Sequence, residues 1–356
     1  MTRAMSERAS DRKAERKTAK CLVWDLDNTL WRGVLLEDGY VSLRPGVIDI
    51  ILALDSRGIL QSIASKNDFD LATEELQELG LLEYFLYPQI NWNSKSSSIK
   101  KIAESLNIGL DAIAFIDDQP FERAEVRDAL PDVLCIDAAD LDLLLEIPEM
   151  NPRFITEDSK ARRLMYISEI TRNKVEAEFI GPKEEFLASL EMVFTISSAK
   201  EEDLKRAEEL TVRTNQLNTT GYTYSFDELN EFRQSEKHKL LISSLDDRFG
   251  AYGKIGLALI ECENEIWTIK LLLMSCRVMS RGVGIILLSH ILMMARERNA
   301  IVRAEFIVND RNRLMYITYK FSGFKEHRKD GDFILFQHDL TPIPAIPDYV
   351  KVQVLD

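Results

Sequence analysis

Cysteine is scarce in this 356-residue chain: four residues, at positions 21, 135, 262 and 276, with no C-x-x-C pair. That spacing excludes a disulfide framework and a zinc-binding cysteine cluster, so reduced thiols are expected. Long apolar runs are missing too, none approaching the ~18 residues that would cross a bilayer. The first twenty residues lack the apolar stretch of a secretory signal, and a cytoplasmic protein with no membrane partner is expected. Positive charge is outweighed: 45 Lys and Arg face 59 Asp and Glu, a formal net charge of −14. A nucleic-acid binder carries a basic footprint, so that class is excluded as well. What remains is ordinary in composition, 46% hydrophobic and 29% charged, which fits a folded globular protein with room for two cores.

Residues 1–20 hold seven Lys and Arg and almost no large apolar side chain, and read as a mobile tail. From Cys21 apolar runs alternate with helical-period segments: "CLVWDL", "GILQSIAS", "AIAFID" and "DVLCI" around helices near 45–57, 68–80, 96–107 and 120–129. Such alternation predicts a parallel sheet wrapped by helices over residues 21–150. The stretch "IPEMNPR" places two prolines at 147–153, and Thr156 with Glu157 and Asp158 reads as a helix start, so a boundary is expected there. Residues 151–356 show short strands between helices, with Glu263 and Asn264 as a hairpin turn, and predict a mixed α+β domain.

The first apolar run ends in Asp25 and Asp27. Open parallel sheets gather their chemistry at the carboxyl ends of strands, and other such positions follow: Ser65 ends "SIAS", Lys95 lies in "WNSKSSS", and Asp117 and Asp118 end "AIAFIDD". Lys100 and Lys101 fall on the helical pattern beyond Lys95 and read as its solvated face. Asn67 and Asp68 read as a helix N-cap.

This order of D-x-D-x-T, Ser, Lys and Asp-Asp resembles the haloacid dehalogenase (HAD) superfamily of phosphoryl-transfer enzymes. The resemblance implies a HAD-like Rossmannoid sheet with Asp25 as nucleophile and Asp27 as general acid and base. It further implies Thr29 orienting the loop, Ser65 and Lys95 gripping phosphate, and Mg²⁺ held by Asp25, the carbonyl of Asp27, and Asp117 or Asp118. Only 39 residues separate Asp25 from Ser65 and 29 separate Ser65 from Lys95, spans filled by the core's own helices, so no large cap domain is expected.

The phrases "WDLDNTLWRGVLLEDG", "FIDDQPFERAEV", "RTNQLNTTGYTYS", "DRFGAYGKIGLALI" and "SCRVMSRGVG" are more particular, and resemble the FkbH-like proteins of polyketide pathways over about residues 21–325. That likeness implies removal of phosphate from D-1,3-bisphosphoglycerate and transfer of its glyceryl group to a phosphopantetheine-bearing acyl carrier protein, for methoxymalonyl units or tetronates. It makes Cys276 the acyl nucleophile, beside Arg277 and a glycine-rich helix start, a setting that lowers a thiol's pKa. The C-terminal half also resembles the GNAT acyltransferase fold. Met279 stands where the GNAT acyl-CoA signature has Gln or Arg, which argues against acetyl-CoA as donor.

Arg213, Asn215, Gln216 and Asn218 of "RTNQLN", Asp247 of "DDRFG", and Arg281 and Gly282 of "SRGVG" are candidates for binding substrate or pantetheine. An acidic carrier would need a basic patch, for which Arg162 and Arg163, or the N-terminal tail, are candidates. Two other readings stay open: a HAD phosphatase whose C-terminal half only binds substrate or carrier, and a non-catalytic scaffold.

Overall fold

The computed structural model describes residues 18–214 and 216–355; residues 1–17, Asn215, Asp356 and the side chain of Cys276 lie outside it. The expected tail therefore falls largely outside the described residues. Its last two do not belong to a tail: Ala19 is buried, and the backbone N–H groups of Ala19 and Lys20 donate to the carbonyls of Glu149 and Ala112. The chain divides into two compact units, Met1–Ile167 and Ser168–Asp356.

In the first unit the elements run β1 (Cys21–Trp24), β2 (Trp31–Arg32), α1 (Leu35–Asp38), β3 (Ser42–Leu43), α2 (Val47–Ser56), β4 (Leu60–Ser65), α3 (Phe69–Glu78) and β5 (Gln89–Ile90). There follow α4 (Lys95–Leu106), β6 (Ile113–Asp117), α5 (Pro120–Ala129), β7 (Leu134–Asp137) and α6 (Glu157–Lys160). The main sheet has the order β5-β4-β1-β6-β7 with every pairing parallel. β1 is central, and all four of its residues are buried because helices cover both faces of the sheet. From β1 the chain first builds outward through β4 and β5, then returns to build β6 and β7 on the other side. Asp25 and Asp117 thus stand at the carboxyl ends of adjacent strands where the winding reverses, the ligand position of such sheets. Between β1 and β4 only the β2–β3 hairpin is added to the core helices, so no large cap is present.

The division of the chain falls later than the prolines near 150 suggest. Thr156 does cap a helix, accepting from Ser159 N at 3.1 Å. But this segment packs on the first unit: Arg162 donates to the Gly58 carbonyl at 2.7 Å, and Arg163 bonds Asp55 at 3.0 Å. A helix α7 (Arg162–Glu178) carries the chain onward.

The second unit contains α8 (Lys183–Ser189), β8 (Met192–Ser198), α9 (Leu204–Arg213), α10 (Phe226–Gln234), β9 (His238–Asp247), β10 (Gly250–Glu263) and β11 (Ile266–Met274). After these come α11 (Ile286–Glu297), β12 (Ile301–Ile307), α12 (Arg313–Phe321), β13 (Lys325–Asp330), β14 (Phe333–His338) and β15 (Val350–Leu355). Its eight-stranded sheet has the order β13-β14-β12-β11-β10-β9-β8-β15. Alternate residues feed two cores, as the two-residue period of a strand requires. Leu241, Ala258, Ile260 and Leu272 pack with α11 residues such as Leu288 and Leu292, while Leu240, Leu257, Leu259 and Leu271 pack with Leu204, Ala207 and Leu229 of α9 and α10. Each such buried leucine stabilises the unit by ~1.5–3 kcal/mol. The β10–β11 turn is Asn264 and Glu265, one residue beyond the expected pair, with Asn264 in the left-handed region at φ 49°.

β11 and β12 pair in parallel only over Ile266–Ile269 and Ile301–Ala304. Beyond that they splay, and the strip Leu217–Thr219 occupies the gap. Met274 N donates to the Leu217 carbonyl at 2.9 Å, Thr219 N to the Leu272 carbonyl at 3.1 Å, and Ile307 N to the Thr219 carbonyl at 3.0 Å. The fold class is therefore a HAD-like Rossmannoid α/β sheet followed by an α+β unit of GNAT type.

Candidate active site

Lys95 is the first residue of α4, whose N-cap Ser94 accepts from Ser97 N at 3.3 Å. This start turns the Lys95 side chain inward, where it is 4% exposed. Its ammonium donates to Asp25 Oδ1 and to the Ala64 carbonyl (2.8 Å), and lies 3.1 Å from Asp117 Oδ2. Burial alone would lower the Lys95 pKa; Asp25 and Asp117 outweigh it and hold the group above its ordinary value.

Asp25, Asp117 and Asp118 each place a carboxylate oxygen within 4.8 Å of the others. Burial, then the charge of Asp25, pushes Asp117 up to about 6, and the same two causes raise Asp118. A carboxylate set that crowded, with one ammonium to balance it, fits a hard divalent cation such as Mg²⁺. Other contacts fix its shape. Thr29 Oγ1 accepts from Asp118 N at 2.9 Å, Gln119 N donates to Asp117 Oδ1 at 2.7 Å, and Arg123 donates to the Asp117 carbonyl at 2.7 Å. Thr29 thus fixes the loop that follows β6 by holding Asp118.

Asp27 is turned to one side of this cluster. Its Oδ1 accepts from Trp31 Nε1 (2.8 Å) and Leu35 N (3.2 Å), and its Oδ2 from Asn67 Nδ2 (3.1 Å). Burial raises its pKa against the pull of the Trp31 and Leu35 hydrogen bonds. Asn67 and Trp31 are the polar partners that sequence reasoning missed. Asp68 is the cap of α3, accepting from Leu71 N at 3.0 Å, whereas Asn67 is fully buried and serves Asp27. The signal was Asn67's place in the loop that follows Ser65 at the carboxyl end of β4. Ser65 itself is buried at that strand end, and Lys100 and Lys101 are exposed.

The second unit uses several expected ligand residues internally. Asp247 is bound by the buried Arg172 through Nε (2.6 Å) and Nη2 (3.0 Å), by the Tyr252 hydroxyl (3.1 Å), and by the Phe249 and Gly250 N–H groups. Arg281 is fully buried and pairs with Glu176 (2.8 Å) and Glu169 (3.0 Å) on α7. Gly282 is left-handed at φ 71°, and a Cβ there would run into the Tyr349 hydroxyl. The helix expected to open at "RGVG" begins only at Ile286, after short 3-10 turns over Cys276–Arg281 and Val283–Ile285, because the left-handed Gly282 interrupts it. Asn218 is buried, with Oδ1 accepting from Thr220 N (3.1 Å) and Gly221 N (2.8 Å). Asp247, Arg281 and Asn218 thus each bond partners within this unit, while the buried Asn218 Nδ2 and Arg281 Nε have no hydrogen-bond partner among the described residues.

Gln216 is exposed, and Arg277 Nε lies 3.5 Å from Ser275 Oγ. Arg213 Nε is 3.2 Å from the buried Glu209. Asn215 and the Cys276 thiol lie outside the described residues. The backbone leading to Cys276 is set by Ser275 N donating to the Ile255 carbonyl at 2.6 Å.

No family model matches the sequence, and no curated protein is found similar to it. Among solved structures, one similar chain is the N-terminal part of a Bacteroides fragilis protein containing a phosphatase domain, complexed with Mg. It is 33% identical over 37% of this chain, with a TM-score of 0.34, and the match spans 40% of that chain. Others are the ribosomal-protein-S18-alanine N-acetyltransferase of Escherichia coli (19% identity, 44% of this chain and 97% of that one, TM-score 0.32) and spermidine N-acetyltransferase of Vibrio cholerae with CoA and spermine (15%, 40% and 92%, TM-score 0.32). Among the described residues no helix is long and apolar enough to cross a membrane.

Proposed function

We propose that the protein is a bifunctional enzyme, a Mg²⁺-dependent phosphatase in its first unit and an acyl transferase in its second. Its substrate would be D-1,3-bisphosphoglycerate, and its acceptor the phosphopantetheine thiol of an acyl carrier protein in polyketide biosynthesis. The observation that carries the reading is the cluster of the buried Asp25, Lys95 and Asp117 with the half-buried Asp118 at the point where the sheet reverses its winding. It combines a nucleophile, a cation for phosphate oxygens and a hard-cation site, the parts that phosphoryl transfer needs.

In this reading the Cys276 thiolate attacks the acyl phosphate carbon, phosphate leaves, and a phosphoglyceryl thioester remains. An Asp25 oxygen then attacks the phosphorus of the remaining ester while Asp27 gives its proton to the departing alcohol oxygen. Asp27 next takes a proton from the water that hydrolyses the aspartyl-phosphate. Its hydrogen bonds to Trp31 and Asn67 aim it, and its raised pKa suits it to carry a proton. Mg²⁺ on Asp25, Asp117 and Asp118 would supply charge neutralisation. Lys95 screens the approaching phosphate from the carboxylates. The carrier thiol finally displaces Cys276 from the glyceryl carbonyl.

The internal use of Asp247 and Arg281 favours one rival, a phosphatase whose second unit binds substrate or carrier without chemistry of its own. Intact-protein mass spectrometry with Mg²⁺, bisphosphoglycerate and holo-acyl carrier protein separates the two. A glyceryl adduct on enzyme and then on carrier supports transfer; phosphate release with neither adduct supports the rival.

A further inference from the structure

Of the basic residues that the sequence offers to an acidic partner, Arg162 and Arg163 are spent inside the first unit, and those of the N-terminal tail up to residue 17 lie outside the described residues. Arg163 pairs with Asp55 (3.0 Å) and Glu83 (3.2 Å), and Arg162 holds the Gly58 carbonyl. The second unit carries a different basic surface, on α12. Met315 and Tyr319 point into the core. The outward face carries Leu314 (41% exposed), the half-buried Ile317 and Phe321 (86% exposed), spaced three and four residues apart along one stripe. Arg313 and Lys320 flank the stripe, and Arg311 precedes the helix; all three are exposed, and among the described residues none is held in an ion pair. Residues 310–321 hold these three cations against one carboxylate, Asp310, a local +2 in a chain of net −14.

Apolar side chains scattered singly on a surface are ordinary, but a continuous apolar stripe along one helix beside cations that no carboxylate holds has the composition of a protein interface. We infer that this face of α12 docks a small acidic helical protein, the carrier of the proposed transfer, with apolar contacts at Leu314 and Phe321 and ion pairs to Arg311, Arg313 and Lys320. The inference rests on that proposed function and supplies its missing partner surface.

The position of α12 supports this occupant. Asn312, fully buried at the helix start, donates to the carbonyls of Ile307 (2.8 Å) and Asn218 (3.2 Å). The same strip bonds Met274 through Leu217, two residues before Cys276. The docking face and the acyl-bearing turn therefore share one hydrogen-bonded strip.

Titration of the full-length protein with holo-acyl carrier protein, at low and high salt, tests the inference. Arg313→Glu and Lys320→Glu should each raise the carrier Kd about tenfold and flatten its salt dependence. Phe321→Ser should raise Kd without changing the salt slope. Phosphate release from a small phosphate ester and the melting temperature should stay as in the wild type, and Arg311→Glu, outside the helix, repeats the test with no risk to α12. If the wild type loads the carrier and all four variants bind it equally well, the face is wrong while the function stands. If the wild type releases phosphate but neither binds nor loads any carrier, the transfer reading fails and takes this partner with it. A dimer that dissociates on charge reversal would make the occupant a second copy of the chain. Binding to anionic phospholipid vesicles that the variants lose would make it a membrane surface. Either result overturns the carrier assignment.

Discussion

Asn67 donates its side-chain amide to Asp27 Oδ2 at 3.1 Å, across forty residues of chain and from one strand end to the next. With Trp31 and Leu35 on Oδ1, this contact leaves the Asp27 carboxyl a single orientation.

Asn67→Ala should therefore lower the turnover of phosphate release between about 10- and 100-fold, the usual cost of losing a group that orients a reacting residue. KM should change little, because the Asn67 side-chain amide is committed to Asp27. A variant with unchanged turnover would remove Asp27 from the proton-transfer step.

Lys95 is the cation between Asp25 and Asp117, so Lys95→Met should leave buried carboxylates without a partner and destabilise the first unit by ~3–5 kcal/mol in the absence of metal. Mg²⁺ should recover part of that loss in a thermal melt, and more of it than it adds to the wild type. Asp117→Asn should weaken the Mg²⁺ dependence more than the fold. EDTA-treated wild type that still released phosphate at its full rate would overturn the metal site.

Arg172 and Asp247 are both buried and bonded twice to each other. Arg172→Ala should cost the second unit ~3–5 kcal/mol by stranding the carboxylate, whereas the Arg172→Met, Asp247→Leu pair should cost far less. Chemical unfolding of the three proteins checks this. Should Asp247→Leu instead raise the substrate KM with no loss of stability, Asp247 would be a ligand residue after all.

His338 is buried, donates through Nε2 to the Ser322 carbonyl at 2.8 Å and accepts at Nδ1 from Leu340 N at 2.7 Å, which requires the neutral ring. Burial is the first cause that lowers its pKa, against the opposing Ser322 carbonyl and Asp339. Because the unfolded chain then binds the proton more readily, stability of the second unit is complete above the ordinary histidine value of about 6.5 and falls as pH drops toward the lowered one. His338→Gln should remove that part of the pH dependence. An unchanged slope of unfolding free energy between pH 5 and about 7 would exclude His338 as its source.

The two covalent steps of the proposed reaction should stall at different masses. Asp25→Asn should accumulate a phosphoglyceryl adduct, and Cys276→Ala should carry no acyl group while keeping Mg²⁺ binding. Acylation that persists in Cys276→Ala would move the thioester elsewhere, with Cys262 next in line. Absence of acylation in the wild type as well would leave a phosphatase alone.

Local pattern by itself determined the alternation of strands and helices in the first unit, the carboxyl-end positions of Asp25, Ser65 and Asp117, and the strand-rich character of the second. Those features are legible because strand and helix periods, caps and strand ends are properties of neighbouring residues. The HAD-type motifs carried the same information for Lys95, although its burial between two carboxylates is visible only once α4 is set against β1 and β6. Tertiary structure alone decided that Asn67 serves Asp27, that Leu217–Thr219 fills the splay of β11 and β12, and that β15 adds a parallel strand beside β8. It also set Asp247 against Arg172, and Arg281 against Glu169 and Glu176, partners that all sit on α7. A buried charge takes whichever opposite charge the fold brings within reach, and residues so far apart in the chain leave no periodic mark of their meeting.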